Sequence, residues 1–263
     1  MTNQKTTCLI HIYNEEYLLP FWLFHHKDMF DDILVIDYRS TDDSVKICKK
    51  ICPNCKIITT VNNYFGAHCV DKEIMDLERK IEGIKIVLNV TEFLFCERNI
   101  KEIFSVLNRR TSITINCITP YFKKFCNINN NYELLTNLMK DDIKYHYDRT
   151  PRQIHNFPDG NYDVGRHSTR NPTIQTNKLY IIWLGFYPLN EPVLKRKLQI
   201  QNNTPQFDKD SGAGFQHLFS REKILSINTE KASSGNTLNQ INLPLYNLLS
   251  VKITDKSLKT SFI

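Results

Sequence analysis

The stretch LVIDYRSTDDS, residues 34–44, carries four apolar residues straight into an aspartate and then a run of hydroxyls and charges. A strand that ends in a carboxylate where the chain turns has two physical explanations. Asp37 accepts hydrogen bonds from turn amides and helps cap the next helix, or it faces a ligand held at the end of a sheet. The segments on either side decide the fold class. TTCLIHIY (6–13) reads as an apolar strand, followed by Leu18, Trp22, His25 or His26, and Met29 at helical spacing, with Pro20 in the first turn. DILVID (32–37) is a second strand, and STDDSVKICKKIC (40–52) a helix with Ser40 or Thr41 as its N-cap, ended by Pro53. KIITTV (56–61) is a third strand. VDKEIMDLERKI (70–81) is a third helix with Val70, Ile74, Leu77 and Ile81 as its stripe, stopped by Gly83, and IKIVLNV (84–90) is a fourth strand. Strands alternating with helices through short connections predict an α/β fold, a parallel sheet covered on both faces. Ligands of such sheets sit beyond the carboxyl ends of the strands. Those ends bring Asn14, Glu15, Asp37, Arg39, His68 and Glu92 to one edge.

The second half is less regular. SITINCIT (112–119) reads as a strand and NNNYELLTNLMKDD (129–142) includes a short helix. From Asp148 the chain is dense in His, Pro, Gly, Asn and Arg and reads as loop with short strands. LYIIWLGFYPLNEPVLKRKLQIQNN (179–203) runs from apolar residues into a basic helix, and TPQFDKDSGAGFQHLFSREKI (204–224) reads as a loop. One domain over residues 1–230 is expected, with a polar tail at 231–263 docked on it through INLPLYNLL (241–249).

With 41% hydrophobic and 24% charged residues, the 263-residue chain can build a substantial core. Its net charge of +6 is spread, with acids and bases interleaved and no run of five or six bases, which argues against a nucleic-acid groove. No apolar run approaches the roughly 18 residues of a membrane span. The start is polar, and the expectation is a soluble, cytoplasmic protein. The eight cysteines lie in the first half, mostly in apolar segments, as reduced buried thiols do. Cys52 and Cys55 form a C-x-x-C with Cys48 nearby, but no second C-x-x-C or H-x-x-x-H completes a zinc set.

IYNEEYLLPFWLFHH (12–26) followed by IDYRSTDDSVKICKKICP (36–53) resembles family 2-type glycosyltransferases of the GT-A fold, a Rossmann-like, mixed but mainly parallel sheet. Members commonly end the first strand in a Y-N-E-E-type loop and the second in an Asp followed by G-S-T-D; here Arg39 stands in place of the glycine. VGRHST (164–169) and VLKRKLQIQ (193–201) are similar to a Gly-x-His element and a basic helix of family 92-like transferases.

The resemblance implies inverting transfer of a sugar from a nucleotide-diphosphate donor, a UDP-sugar, to a hydroxyl of a glycan or protein acceptor. It implies donor contacts at His11, Tyr13, Asn14, Glu15, Asp37, Arg39, Asp71 and Arg166. It also implies a divalent cation, Mn²⁺ or Mg²⁺. Asn89-Val90-Thr91-Glu92-Phe93 stands where members often read D-x-D-E-F, so Glu92 is the one carboxylate left to ligate, joined by His167. Transfer needs a base within reach of the acceptor hydroxyl. His217, after a Gly-Ala-Gly turn, is the expected residue, beside Asp163, Asp208 and Asp210. Lys195, Arg196 and Lys197 suit a diphosphate or a solvated helix face equally. A catalytically inactive nucleotide- or sugar-binding module and a nucleotidyltransferase are the competing classes, though the latter wants a Gly-rich basic loop after its first strand, which HIYNEEY lacks.

Overall fold

The computed structural model of the chain describes residues 4–97, 100–104, 111–212 and 214–259. Along the chain run β1 (Thr6–Ile12), α1 (Leu19–His26), β2 (Asp32–Asp37), α2 (Ser44–Ile51), β3 (Lys56–Thr59), α3 (Ala67–Glu78), β4 (Ile84–Asn89), β5 (Glu92–Cys96) and α4 (Ile100–Phe104). They are followed by β6 (Ser112–Tyr121), α5 (Asn131–Leu138), β7 (Lys144–His155), β8 (Thr173–Gln175), β9 (Leu179–Trp183), α6 (Glu191–Gln199), α7 (Gln206–Ser211), α8 (Arg221–Ser234), α9 (Leu238–Ile241) and α10 (Leu243–Lys252).

The strands form one sheet in the order β3-β2-β1-β4-β7-β6-β9-β5, with β8 added beside β6. β1 pairs in parallel with β2 and β4, and β2 with β3, whereas β7 runs antiparallel between β4 and β6. The sheet is therefore mixed and mainly parallel, as expected, and helices cover both faces. The period-2 pleat explains the two layers. Cys8, Ile10, Ile12, Ile33, Val35, Ile86 and Leu88 point into a large core shared with α1, α2, α5 and α10. Their neighbours Leu9, Leu34, Ile36 and Val87 point the other way, onto Val70 and Ile74 of α3 and onto Tyr162. The direction in which strands are added reverses at β1: β2 and β3 are laid down on one side, and α3 crosses the second face to deliver β4 on the other. That makes the carboxyl edge between β1 and β4 the topological switch point, where such sheets leave a crevice.

Several local expectations shift. Helix α2 begins at Ser44, beyond the expected caps, because Ser40 and Thr41 are committed elsewhere. Ser40 Oγ accepts from the Asn14 amide (3.1 Å) and the Thr41 amide donates to Asn14 Oδ1 (2.7 Å), so the two sequence signatures close on one another. Gly83 does not end α3, which stops at Glu78; it makes the turn into β4 at φ 89°, where a Cβ would lie 2.3 Å from the Lys5 carbonyl. Of the expected loop, 156–172 is irregular as expected, while residues 148–155 belong to β7, a central strand. Pro151 is tolerated there because the β6 register jumps between Ile115 and Cys117, leaving the proline in a bulge. Residue 230 falls inside α8, whose Ile224, Asn228 and Ala232 form one buried stripe, and Leu238, Leu245 and Leu249 beyond it are core residues. No helix among the described residues is long and apolar enough to cross a membrane.

Candidate functional site at the carboxyl edge of the sheet

β1 and its turn present His11, Tyr13, Asn14 and Glu15; β2 presents Asp37, Tyr38 and Arg39. Among the described residues the Asp37 carboxylate, 8% exposed, accepts one hydrogen bond, from the Ser40 amide at 2.9 Å. That bond closes the turn and uses one lone pair of four, so capping and ligand contact are compatible. Arg39 sits at φ 60°, in the left-handed region, which is the physical reason a glycine suits this position. Its guanidinium is tethered to the carbonyls of Thr60 and Asn62. Phe65 packs against the rings of Tyr13, His11 and Tyr38 at 5.9, 5.3 and 5.0 Å between centroids, an aromatic floor at the ends of β1 and β2.

Glu15 is buried and gripped by both arms of Arg196 from α6. Burial pushes its carboxyl up, and the guanidinium opposes that shift. The basic helix divides: Lys195 is solvent-exposed, Arg196 is spent on Glu15, and Lys197 lies buried over the rings of Phe186 and Trp183 at 4.3 and 5.1 Å.

Around β4 two crossed ion pairs pin the 156–172 segment to the sheet. Asp71 of α3 takes the guanidinium of Arg166 and the Gly165 amide (2.6 Å), and Arg166 reaches on to Asn89 Oδ1 at 3.1 Å. Glu92 takes a fork from Arg152 of β7, at 2.6 and 3.0 Å, together with the amide and side chain of Asn89 at 2.8 and 3.0 Å. The other arm of Arg152 reaches His167 Nδ1 at 2.7 Å and the carbonyls of Gly165 and Arg166 at 3.2 Å. Burial and these two arginines hold the His167 imidazole down to about 3, so it is neutral, with Nδ1 as the acceptor.

The expected metal pair does not fit a cation. Glu92 and His167 are brought to the same place, but Arg152 stands between them, its guanidinium taking both Glu92 oxygens and Nδ1 of His167. Among the described residues no group of three or more His, Cys, Asp or Glu converges as a metal set. The positive charge that a buried Glu92 demands is supplied by the protein itself.

The remaining acids divide between fastening and a less ordinary arrangement. Glu73 collects Tyr38 Oη, Thr60 Oγ1, Asn62 Nδ2 and the Val61 amide within 2.9 Å, tying the ends of β2 and β3 to α3. Glu78 does the same for the 156–172 segment through Gly160, Tyr162 and His155. Asp163 bonds Ser168 at the surface, and Asp210 bonds Gln206 within its own helix. Asp208 is 1% exposed and bonds His68 Nδ1 at 2.5 Å. The side chain of His217 lies outside the described residues. Two open cavities, about 280 and 560 Å³, lie at the amino ends of the strands, and neither is lined by an expected donor or metal residue.

No protein-family model matches the chain, and no curated protein matches it. Among solved structures it is similar to S. aureus TarS 1-349, at 14% identity over 95% of this chain and 88% of that one, with a TM-score of 0.42. That protein has also been solved with UDP-GlcNAc. Glucosyl-3-phosphoglycerate synthase from Mycobacterium tuberculosis, in complex with Mn²⁺, UDP and glucosyl-3-phosphoglycerate, is 14% identical with a TM-score of 0.28; the match covers 34% of either chain. The 4-diphosphocytidyl-2C-methyl-D-erythritolsynthase of Anaerococcus prevotii is 12% identical over 59% of this chain and 70% of that one, with a TM-score of 0.32. At such identities and TM-scores, none of these likenesses bears on what this chain binds or does.

Proposed function

We propose that this chain is a nucleotide-sugar-dependent glycosyltransferase that moves a sugar from a UDP-class donor to a hydroxyl of a glycan or protein acceptor, by inverting displacement. The observation that carries the proposal is the meeting of the two glycosyltransferase-like signatures at the carboxyl edge beside the switch point. There Asn14 bonds the Ser40–Thr41 turn, and Asp37 keeps free acceptor capacity beside an aromatic floor. In this reading Asp37 accepts from the nucleoside, His11, Tyr13 and Asn14 flank it, and Arg39 offers its charge to the diphosphate. Glu15, Asp71 and Arg166, expected as direct contacts, act instead by holding that edge rigid. No step is routed through a divalent cation, because Arg152 occupies the Glu92–His167 pair.

A second reading, a nucleotide-binding module without transfer activity, is favoured by the same closed pair, since charge that is already neutralised offers less to a departing diphosphate. A thermal-shift panel of nucleoside diphosphates and nucleotide sugars tests the shared premise. UDP and UDP-sugars are expected to raise the melting temperature by mass action, in EDTA as well as in Mn²⁺. No shift with any nucleotide would overturn both readings. A UDP shift without UDP release from a UDP-sugar would leave the binding module.

A further inference from the structure

We propose that His68 is the general base for the acceptor hydroxyl and that Asp208 is its positioning residue. This deepens the transferase reading and rests on it. The two residues are 140 positions apart and are brought together by α3 and α7. Asp208, 1% exposed, receives His68 Nδ1 on one oxygen (2.5 Å) and the Ala67 amide on the other (2.7 Å). A carboxylate can only accept, so Nδ1 carries a proton, and the neutral form of the ring then presents its lone pair at Nε2. The His68 side chain is 38% exposed, and among the described residues nothing bonds Nε2.

The approach is built into the backbone. A Cβ on Gly66, the N-cap of α3, would lie 2.4 Å from Asp208 Oδ2 and 2.7 Å from Pro205 Cγ, so a glycine at 66 is what admits α7 to this position. The dyad also shares the donor edge. Asn62 bonds the carbonyl of Cys69, next to His68, and the Tyr38 hydroxyl, each at 3.3 Å, and its own carbonyl receives Arg39. The exposed ring of Phe207 stands edge-on to His68 at 5.0 Å and offers an apolar wall to the carbon–hydrogen face of a sugar.

The step balances without a further reagent. The acceptor O–H gives its proton to Nε2 as its oxygen bonds the anomeric carbon. The bond from that carbon to the diphosphate breaks, and its electron pair leaves on the phosphate oxygen. Asp208 stabilises the imidazolium that forms.

The test is UDP release from UDP-glucose and UDP-GlcNAc with water as acceptor, beside UDP affinity by calorimetry. His68→Asn keeps a donor toward Asp208 but removes the base. It is expected to slow release about 100-fold or more while UDP affinity stays unchanged. His68→Ala is expected to regain turnover when imidazole is added, and Asp208→Asn to lower turnover with UDP affinity intact, neither of which a merely fastening pair would do. Wild-type turnover in His68→Asn, or a loss confined to His217→Asn, would overturn this proposal alone. A wild-type chain that binds UDP but releases none from either donor would overturn the transferase reading with it.

Discussion

Arg152 shows how a single side chain changes the chemistry that a site can do. It is 3% exposed, carries a full charge, and finds its counter-ion 60 residues away in Glu92, which is 1% exposed. Removing one partner of such a pair strands the other, so Glu92→Ala and Arg152→Ala are each expected to cost about 3–5 kcal/mol. The double replacement Glu92→Gln, Arg152→Met leaves no buried charge and is expected to cost much less than the sum. Urea denaturation of the four proteins checks this, and additive losses would contradict the pairing. The demand was legible in the sequence: Glu92 stands between apolar residues and calls for positive charge. Its supplier was not, because an arginine between Pro151 and Gln153 carries no local sign of a partner so distant. His68 and Asp208 were legible one by one, as an edge residue and a candidate acid. Their pairing depends on the packing of α7 against Gly66, which no local pattern records.

At the scale of elements, α1 shows why its histidines are there. β5 lies at the end of the sheet and needs partners for an unpaired edge. Trp22 Nε1 donates to the Glu92 carbonyl (2.9 Å), and His25 Nε2 meets the Leu94 carbonyl (2.7 Å). His26 Nε2 accepts from the Leu94 amide (3.1 Å) while its Nδ1 faces the Trp22 carbonyl (2.9 Å). Only a neutral imidazole can do both. Burial accordingly pulls His26 well below its ordinary 6.5, and burial with nearby Lys252 pulls His25 down to about 3. The unfolded chain takes up these protons first. The contribution is therefore full above about pH 6.5 and is lost as pH falls below it, at about 1.4 kcal/mol per pH unit for a fully buried histidine. Urea midpoints measured from pH 7.5 to 5 are expected to fall, and less steeply in His26→Gln. An identical pH dependence in that variant would contradict the neutral clamp. The apolar periods of α1, α3 and β1 to β4 were legible because their cores are local and repetitive. β7 was not, since a proline and several charges in one strand are tolerated only through the bulge and the buried partners around it.

The whole molecule is a switch-point sheet whose carboxyl edge is held by segments drawn from the entire chain: α6 onto β1, the 156–172 segment onto α3 and β4, and α7 onto the start of α3. The C-terminal helices finish the main core, since Leu238, Leu245 and Leu249 are at most 2% exposed and Asn236 bridges Tyr145 of β7. A chain cut at residue 230 is expected to lose cooperative unfolding and to bind a hydrophobic dye, because the cut divides α8 and uncovers that core. A sharp, dye-silent transition in the shortened chain would contradict this.

The proposed donor site is tested most directly at Asp37. Asp37→Asn keeps an oxygen for the Ser40 amide, so the turn and the melting temperature of the free protein should not move. Calorimetric titration with UDP is then expected to find affinity about ten- to a hundredfold weaker than in the wild type, the loss of a charged acceptor. Equal affinity in the two proteins would reduce Asp37 to a cap and remove the donor from this edge.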